Sequence, residues 1–152
     1  MRIIRFRGKR IDNGEWVYGA FYPIKNENVY FIINNCKSLN FDDDDTAFNG
    51  YKVHKKSVGQ FTGLHDKNGK EIYTGDILQL KRLDGSILLY KIFSVKGGFA
   101  FNAHQDDFYK PQSEIYFYES TSDMQSSGFI RTLEIIGNLY ENPDLLEKKF
   151  AD

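Results

Sequence analysis

The sequence predicts a mainly β protein of short strands and frequent turns. Three observations carry that prediction. Thirteen Phe and ten Tyr stand among 152 residues, and aromatic and β-branched residues fit a pleated, half-buried surface. Thirteen glycines punctuate the chain while only three prolines interrupt it, which marks many tight turns. Between those turns, apolar and polar residues alternate with a period of two. A chain of this length can bury a sizeable core as one domain. Residues 1–152 therefore read as a single domain with variable loops at about 34–50 and 104–128.

The first element is an N-terminal β-hairpin. Ile4-Arg5-Phe6-Arg7 alternates apolar with charged, as a strand with one buried face does. Asp12-Asn13-Gly14 supplies a turn, and Glu15-Trp16-Val17-Tyr18-Gly19-Ala20-Phe21-Tyr22 returns as the second strand. Trp16, Tyr18, Ala20 and Tyr22 share one of its faces. Arg2, Arg5, Arg7, Lys9 and Arg10 make the first ten residues the most basic window, with no acid. Two readings compete there. One is an edge that contacts phosphates; the other is a solvated strand face whose charges discourage edge pairing. The overall charge of −1 favours the second. The same charges interrupt what would be the apolar segment of a signal peptide.

After a turn at Asn26-Glu27-Asn28, Val29-Tyr30-Phe31-Ile32-Ile33 reads as a third strand. Periodicity is then lost through 34–50. Asp42-Asp43-Asp44-Asp45 lies inside that stretch; such a run reads as a solvated loop, placed to neutralise the basic N-terminal face, rather than as a cation site. Cys36 is the single cysteine, so no intrachain disulfide forms, and it reads as a small buried side chain. Tyr51-Lys52-Val53-His54 resumes a strand.

Turn chemistry is densest in the centre, from Gly59 to Ile77. Asn68-Gly69 tolerates positive φ at low cost, and Gly59, Gly63 and Gly75 add further bending points. Phe61, Leu64, Ile72 and Tyr73 are the anchors between them. Gly75-Asp76 opens a strand over 77–82, where the carboxylate can accept backbone N–H groups at the strand entry. Two functional readings fail on spacing. A phosphate loop needs four residues between its glycines and a hydroxyl after the lysine; here five separate Gly63 from Gly69, and Glu71 follows Lys70. A calcium loop beginning at Asp66 needs glycine sixth and glutamate twelfth, whereas Gly69 is fourth and Ile77 twelfth.

Asp84-Gly85 is a hairpin signal. Residues 87–95 are too apolar for an exposed strand, and Gly97-Gly98 turns the chain into Phe99-Ala100-Phe101-Asn102-Ala103. Three strands joined by short turns form a meander, the bent sheet of an SH3-like small barrel. From 104 to 128 the pattern weakens to a strand candidate at Glu114-Ile115-Tyr116-Phe117-Tyr118 and a loop over 120–128. Residues 133–140 read as a strand kinked at Gly137. Asn142-Pro143-Asp144 has the chemistry of a helix start, and Leu145-Leu146 would dock a short C-terminal helix reaching Phe150.

Catalytic chemistry has no signature here. His54, His65 and His104 are scattered, without the spacing of a zinc site. Cys36 has no activating neighbour in sequence, and no carboxylate pair has an acid–base spacing. The expectation is a non-enzymatic protein with no cofactor and no metal. No apolar run has transmembrane length, so a soluble, cytoplasmic protein without a membrane partner is expected.

Three windows together resemble the YopX family of phage and prophage proteins. They are Arg5-Phe6-Arg7-Gly8-Lys9 with Gly14-Glu15-Trp16-Val17-Tyr18-Gly19; the run from Val58-Gly59-Gln60-Phe61-Thr62-Gly63 through Asp66-Lys67-Asn68-Gly69-Lys70-Glu71 to Gly75-Asp76-Ile77; and Glu134-Ile135-Ile136-Gly137-Asn138-Leu139-Tyr140-Glu141-Asn142-Pro143. The resemblance spans both termini and the centre, and leaves 25–57 and 104–130 unmatched. It implies a phage or prophage origin, a YopX-like β fold with an SH3-type barrel, and an oligomer. It implies no activity, so no functional residues carry over; the turn and Gly-Asp residues enter as fold determinants.

Function is then expected from surplus aromatics. More Phe and Tyr are present than a small barrel core holds, and such a surplus serves interfaces. Trp16, Tyr18, Tyr22 and Tyr73 are the candidates for a surface that binds a second copy of the chain or a phage or host protein. The alternative is a nucleic-acid-binding small barrel, with Arg2, Arg5, Arg7, Lys9, Arg10, Lys55 and Lys56 as its charges.

Overall fold

The computed structural model describes residues 3–24, 29–36, 48–96, 98–104, 115–117, 128 and 130–147. It is mainly β, with two antiparallel sheets, and the chain divides into two compact units, Met1–Phe61 and Thr62–Asp152.

The first unit contains β1 (Phe6–Lys9), β2 (Trp16–Ile24), β3 (Val29–Cys36), β4 (Phe48–Lys52) and the start of β5 (Gly59–His65), in the order β4-β3-β2-β1-β5. The N-terminal hairpin forms where the sequence places it, with Lys9 opposite Trp16 and Phe6 opposite Gly19. Its turn closes because Gly14 adopts φ 72 and the Asn13 side chain accepts the Glu15 N–H at 3.0 Å. Strand pairing takes in both ends of the stretch that lacked periodicity: Cys36 pairs with Phe48, after a register irregularity between Ile33 and Asn35. The four-aspartate run lies outside the described residues. Ile32 and Val53 are fully buried. Ser57, in a 3-10 turn at Lys55–Ser57, accepts the Lys9 N–H at 2.8 Å and donates to the His54 carbonyl at 2.6 Å.

The second unit continues β5 and adds β6 (Glu71–Tyr73), β7 (Asp76–Lys81), β8 (Ile87–Val95), β9 (Gly98–His104), β10 (Ile115–Phe117) and β11 (Glu134–Asn138). The expected meander is present, and the sheet order is β10-β9-β8-β7-β11. Ile72, Leu78, Tyr90, Ile92, Phe101, Ile130 and Leu133 form its core, each large side chain contributing about 1.5–3 kcal/mol by leaving water. Tyr90 and Phe101 meet edge to face at 5.5 Å.

Two buried carboxylates hold the glycine-rich centre. Asp66, 3% exposed, accepts the N–H groups of Asn68 at 2.8 Å, Lys70 at 2.9 Å and Ile135 at 3.1 Å. Asp76, 1% exposed, accepts the Tyr73 N–H at 2.8 Å, as the Gly-Asp strand entry predicts. Gly69 and Gly75 stand at φ 77 and φ 90 beside them, a conformation that costs other residues a steric penalty.

Two expectations are corrected. No barrel closes among the described residues, because β10 covers β9 and β11 covers β7, which leaves them at opposite edges of an open sheet. The C-terminal helix is a single 3-10 turn at Pro143–Leu145 among the described residues. Asn142 does not cap it; its side chain accepts the Asn138 N–H at 3.3 Å instead. The kink at Gly137 is a register shift between Ile135 and Gly137.

Lys67 Nζ lies 2.5 Å from Glu134 Oε2, and that contact, aided by Gln79, holds the Glu134 carboxyl below its ordinary value of 4.5. A depressed carboxyl contributes stability above its unfolded pKa and loses it as pH falls through the lower folded value. Lys67→Met should therefore lower the urea midpoint slightly at pH 7 and leave it unchanged at pH 2.5. Equal losses at both pH values would assign the effect to packing of the lysine stem.

Candidate functional site

Alternation along four paired strands of the first unit builds one continuous face. Arg7 lies opposite Tyr18 and Lys9 opposite Trp16. Tyr22 lies opposite Phe31 and Ile24 opposite Val29, and Gly50 and Lys52 lie opposite Ile33 and Phe31. Since side chains two apart share a face, Arg5, Arg7, Lys9, Trp16, Tyr18, Tyr22, Ile24, Phe31, Ile33, Gly50 and Lys52 all belong to it.

The face has two halves. Over β1 and the start of β2, cations lie on rings: the Arg7 guanidinium is 4.8 Å from the Trp16 ring centre and Lys9 Nζ is 6.0 Å from it. Arg5 lies 5.4 Å from the Phe61 ring. Such contacts contribute about 0.5–2 kcal/mol each and fix the direction of the charge. Over β2, β3 and β4 the face becomes apolar. There Tyr22, Ile24, Phe31, Ile33 and Gly50 line a pocket of about 300 Å³. Tyr22 is 57% and Tyr18 46% exposed. Gly50 contributes to that lining without a side chain.

The opposite face is differently organised. Phe6, Phe21 and Tyr30 form an aromatic row, with Phe21 and Tyr30 stacked at 6.0 Å. Arg10 sits 4.3 Å over Tyr51, and Lys55 5.2 Å over Tyr30. Asp12 and Glu15 gather at Arg10, at 2.6 Å and 3.6 Å. The hydrogen bond from Arg10 holds the Asp12 carboxyl below its ordinary value.

The structure thus brings Trp16, Tyr18 and Tyr22 together with Arg5, Arg7 and Lys9. Tyr73 does not join them. It is 2% exposed in the second unit, and its hydroxyl donates to Glu71 at 2.8 Å, because the Asp76 turn draws its backbone inward. Arg10 and Lys55 belong to the opposite face, Lys56 is exposed on the 3-10 turn, and Arg2 lies outside the described residues. Sequence reasoning missed Ile24, Phe31, Ile33, Gly50 and Lys52. The available signal was a glycine inside a strand, which marks close approach or an open space. It also undervalued the local charge. Residues 1–61 hold ten Lys and Arg against seven Asp and Glu, and residues 62–152 hold ten against fourteen, so the overall value of −1 hides a basic first unit.

Elsewhere, the buried carboxylates Asp66 and Asp76 accept backbone N–H groups of turns. Among the described residues no three His, Cys, Asp or Glu side chains converge as a metal site, and no helix is long and apolar enough to cross a membrane.

No curated protein matches the chain. Among solved structures it is similar to the crystal structure of protein EF1440 from Enterococcus faecalis, at 22% identity and a TM-score of 0.51, with 96% of this chain and 99% of that one covered. That likeness concerns the fold. The model of the family described as YopX protein matches residues 5–147, a span that includes all three windows of resemblance. With the match extending over nearly its whole length, the chain belongs to the YopX family.

Proposed function

We propose that this is a non-enzymatic interaction module, encoded by a phage or prophage and active in the cytoplasm of the bacterial host. It works through the β1–β4 face, on a protein partner or on a second copy of itself. The observation that carries this reading is the apolar pocket of about 300 Å³ beside the exposed Tyr18 and Tyr22. Aromatic residues with one apolar side and one polar end are the usual anchors of interfaces.

The test is capture from host lysate with the tagged protein and with its Tyr18→Ala/Tyr22→Ala double variant, in the presence of nuclease. A defined protein, or untagged copies of the chain, should be retained by the parent and lost from the variant. Identical capture by both would overturn the reading.

A second reading has its own observation: Arg5, Arg7 and Lys9 run in line beside Trp16 and Tyr18. Such a row can follow a single strand of nucleic acid. Three or four phosphate contacts would give a slope of about −2 to −3 for log affinity against log salt. Fluorescence anisotropy with a labelled oligothymidylate measures it, and a flat response would remove this reading.

A further inference from the structure

We infer that Asn13 is a modification site. Its side chain cyclises onto the Gly14 nitrogen and deamidates in the folded protein, and the hairpin that carries Trp16 is altered with age. This goes beyond the interaction reading and does not depend on what the β1–β4 face binds.

The chain holds three Asn-Gly pairs, Asn13-Gly14, Asn49-Gly50 and Asn68-Gly69. A following glycine leaves the peptide nitrogen free to approach the Asn side chain, because no Cβ obstructs it. In an unfolded chain the three pairs are therefore alike. The reaction is a condensation followed by hydrolysis. The Gly nitrogen gives its proton to solvent and bonds to the Asn Cγ. The Cγ–Nδ2 bond breaks and ammonia leaves. Water then opens the five-membered imide at either carbonyl, which yields aspartate or isoaspartate. Solvent water is the sole co-reactant.

The fold separates the three pairs. At Asn13 the side-chain oxygen accepts the Glu15 N–H at 3.0 Å. That is the bond of an Asx turn, and it folds the carboxamide back over the peptide that follows it. The same N–H points at the oxygen on which charge develops when Cγ is attacked. The Gly14 N–H meets the Arg10 carbonyl at 3.2 Å, the long end of the hydrogen-bond range, in a turn whose residues 11–15 are all exposed. One contact opposes the reaction: Asn13 Nδ2 donates to Glu15 Oε2 at 2.8 Å. That carboxylate is itself exposed, and water can replace it.

Asn68 is also exposed, but it is tied differently. The N–H two residues on, that of Lys70, goes to the Asp66 carboxylate instead. The Asn68 N–H ends there too, and the Gly69 N–H meets the Asp66 carbonyl at 3.0 Å. The Asn68 side chain is hydrogen-bonded to Glu134. Asp66 is buried, so this turn opens only when its anchor is pulled out. Gly50 lies within β4, opposite Ile33. Imide closure bends the backbone away from the extended conformation that a strand requires, so the ladder must open first.

The product changes the hairpin. Either product sets a third carboxylate beside Asp12 and Glu15 at Arg10, and the donation to Glu15 becomes a repulsion between like charges. Isoaspartate also adds a methylene to the main chain, in a turn set by Gly14 at φ 72. The Lys9–Trp16 pair lies directly beyond it. Trp16 is the single tryptophan, so its emission reports the change.

The experiment incubates the full chain at mildly alkaline pH, native and in urea. Peptide mapping by mass spectrometry follows exchange of NH2 for OH at each asparagine. In the native protein Asn13 should convert at least tenfold faster than Asn68 or Asn49, whereas in urea the three should convert alike. Asp66→Ala frees the second turn and should raise the Asn68 rate at least tenfold without changing Asn13; circular dichroism checks its fold, and the parent comparison decides if that variant unfolds. Trp16 emission should move to longer wavelength in step with conversion at Asn13. Asn13→Gln, whose longer side chain closes the ring far more slowly, should show neither conversion nor shift. Native Asn13 protected as strongly as Asn68, or Asn68 converting first in the native protein, would overturn the proposal. Conversion at Asn13 with unchanged Trp16 emission would overturn its structural half.

Discussion

Replacing Gly19 with alanine should cost the protein about 3 kcal/mol, one of the two largest losses expected from a single substitution. A Cβ built at Gly19 would lie 2.0 Å from the Ile33 carbonyl oxygen, 2.7 Å from its carbon and 2.9 Å from the Asn34 Cα. All three are backbone atoms of β3, so no side chain can rotate away. Either β3 withdraws and the adjacent Ala20–Ile33 pairing loosens, or β2 bends. The cost is that of forcing atoms into a packed site, about 1–3 kcal/mol or more. Torsional strain is not involved, because Gly19 is outside the left-handed region. Gly50→Ala provides the control on the same sheet. Its Cβ would make ordinary 3.6 Å contacts, and removing a glycine from a strand should stabilise by about 0.5–1 kcal/mol. Urea midpoints of the two variants should therefore move in opposite directions. A Gly19→Ala midpoint within error of the parent would show that β3 yields at no cost.

Asp66→Ala should destabilise by a similar amount, about 3 kcal/mol, for a different reason. One buried carboxylate serves three N–H groups, those of Asn68, Lys70 and Ile135. Hydrogen bonds to a charged group contribute about 1.5–3 kcal/mol each and are not additive, and a buried donor left alone costs about 1–3 kcal/mol. Water can reach the exposed ends of the turn, so the Ile135 N–H carries most of the loss. Asp66→Asn keeps one acceptor oxygen and should cost about half as much. For a chain of this size the alanine variant should melt roughly 6–12 °C lower. Hydrogen exchange gives the sharper reading: the Ile135 amide should lose protection in the alanine variant before amides of β8 do. Equal protection at Ile135 in parent and variant would refute the assignment.

Local structure was largely legible in the chain, and long-range pairing was not. Asn13-Gly14, Asn68-Gly69 and Asp84-Gly85 mark turns because glycine there adopts positive φ, a property of the residue itself. The Asp76 strand entry and the kink at Gly137 follow from equally local chemistry. Nothing local places β1 beside β5 or β11 beside β7. Those neighbours are chosen by which apolar faces fit together, and a meander alone is equally compatible with a closed barrel and an open sheet. The candidate site divides the same way. Trp16, Tyr18 and Tyr22 share a face by period alone, and register then brings Arg7 and Lys9 alongside. Tyr73 has the same aromatic character, yet a turn three residues long turns it into the core. The pocket needed β4, whose glycine sits in a stretch without alternation.

The Asp66 contact also orders events in time. It joins residues 69 apart in the chain, and the neighbouring Lys67 N–H reaches the Leu133 carbonyl at 2.8 Å. Contacts of such separation are slow to form, because a long loop must close before any of them is rewarded. During synthesis, β7, β8 and β9 emerge long before β11, so one edge of β7 waits for its neighbour. The second unit can complete its sheet only after residue 138 has left the ribosome, whereas the N-terminal hairpin can pair as soon as Tyr22 has emerged. Translation pauses between those two points would lengthen the period in which the β7 edge is open to pairing with another chain.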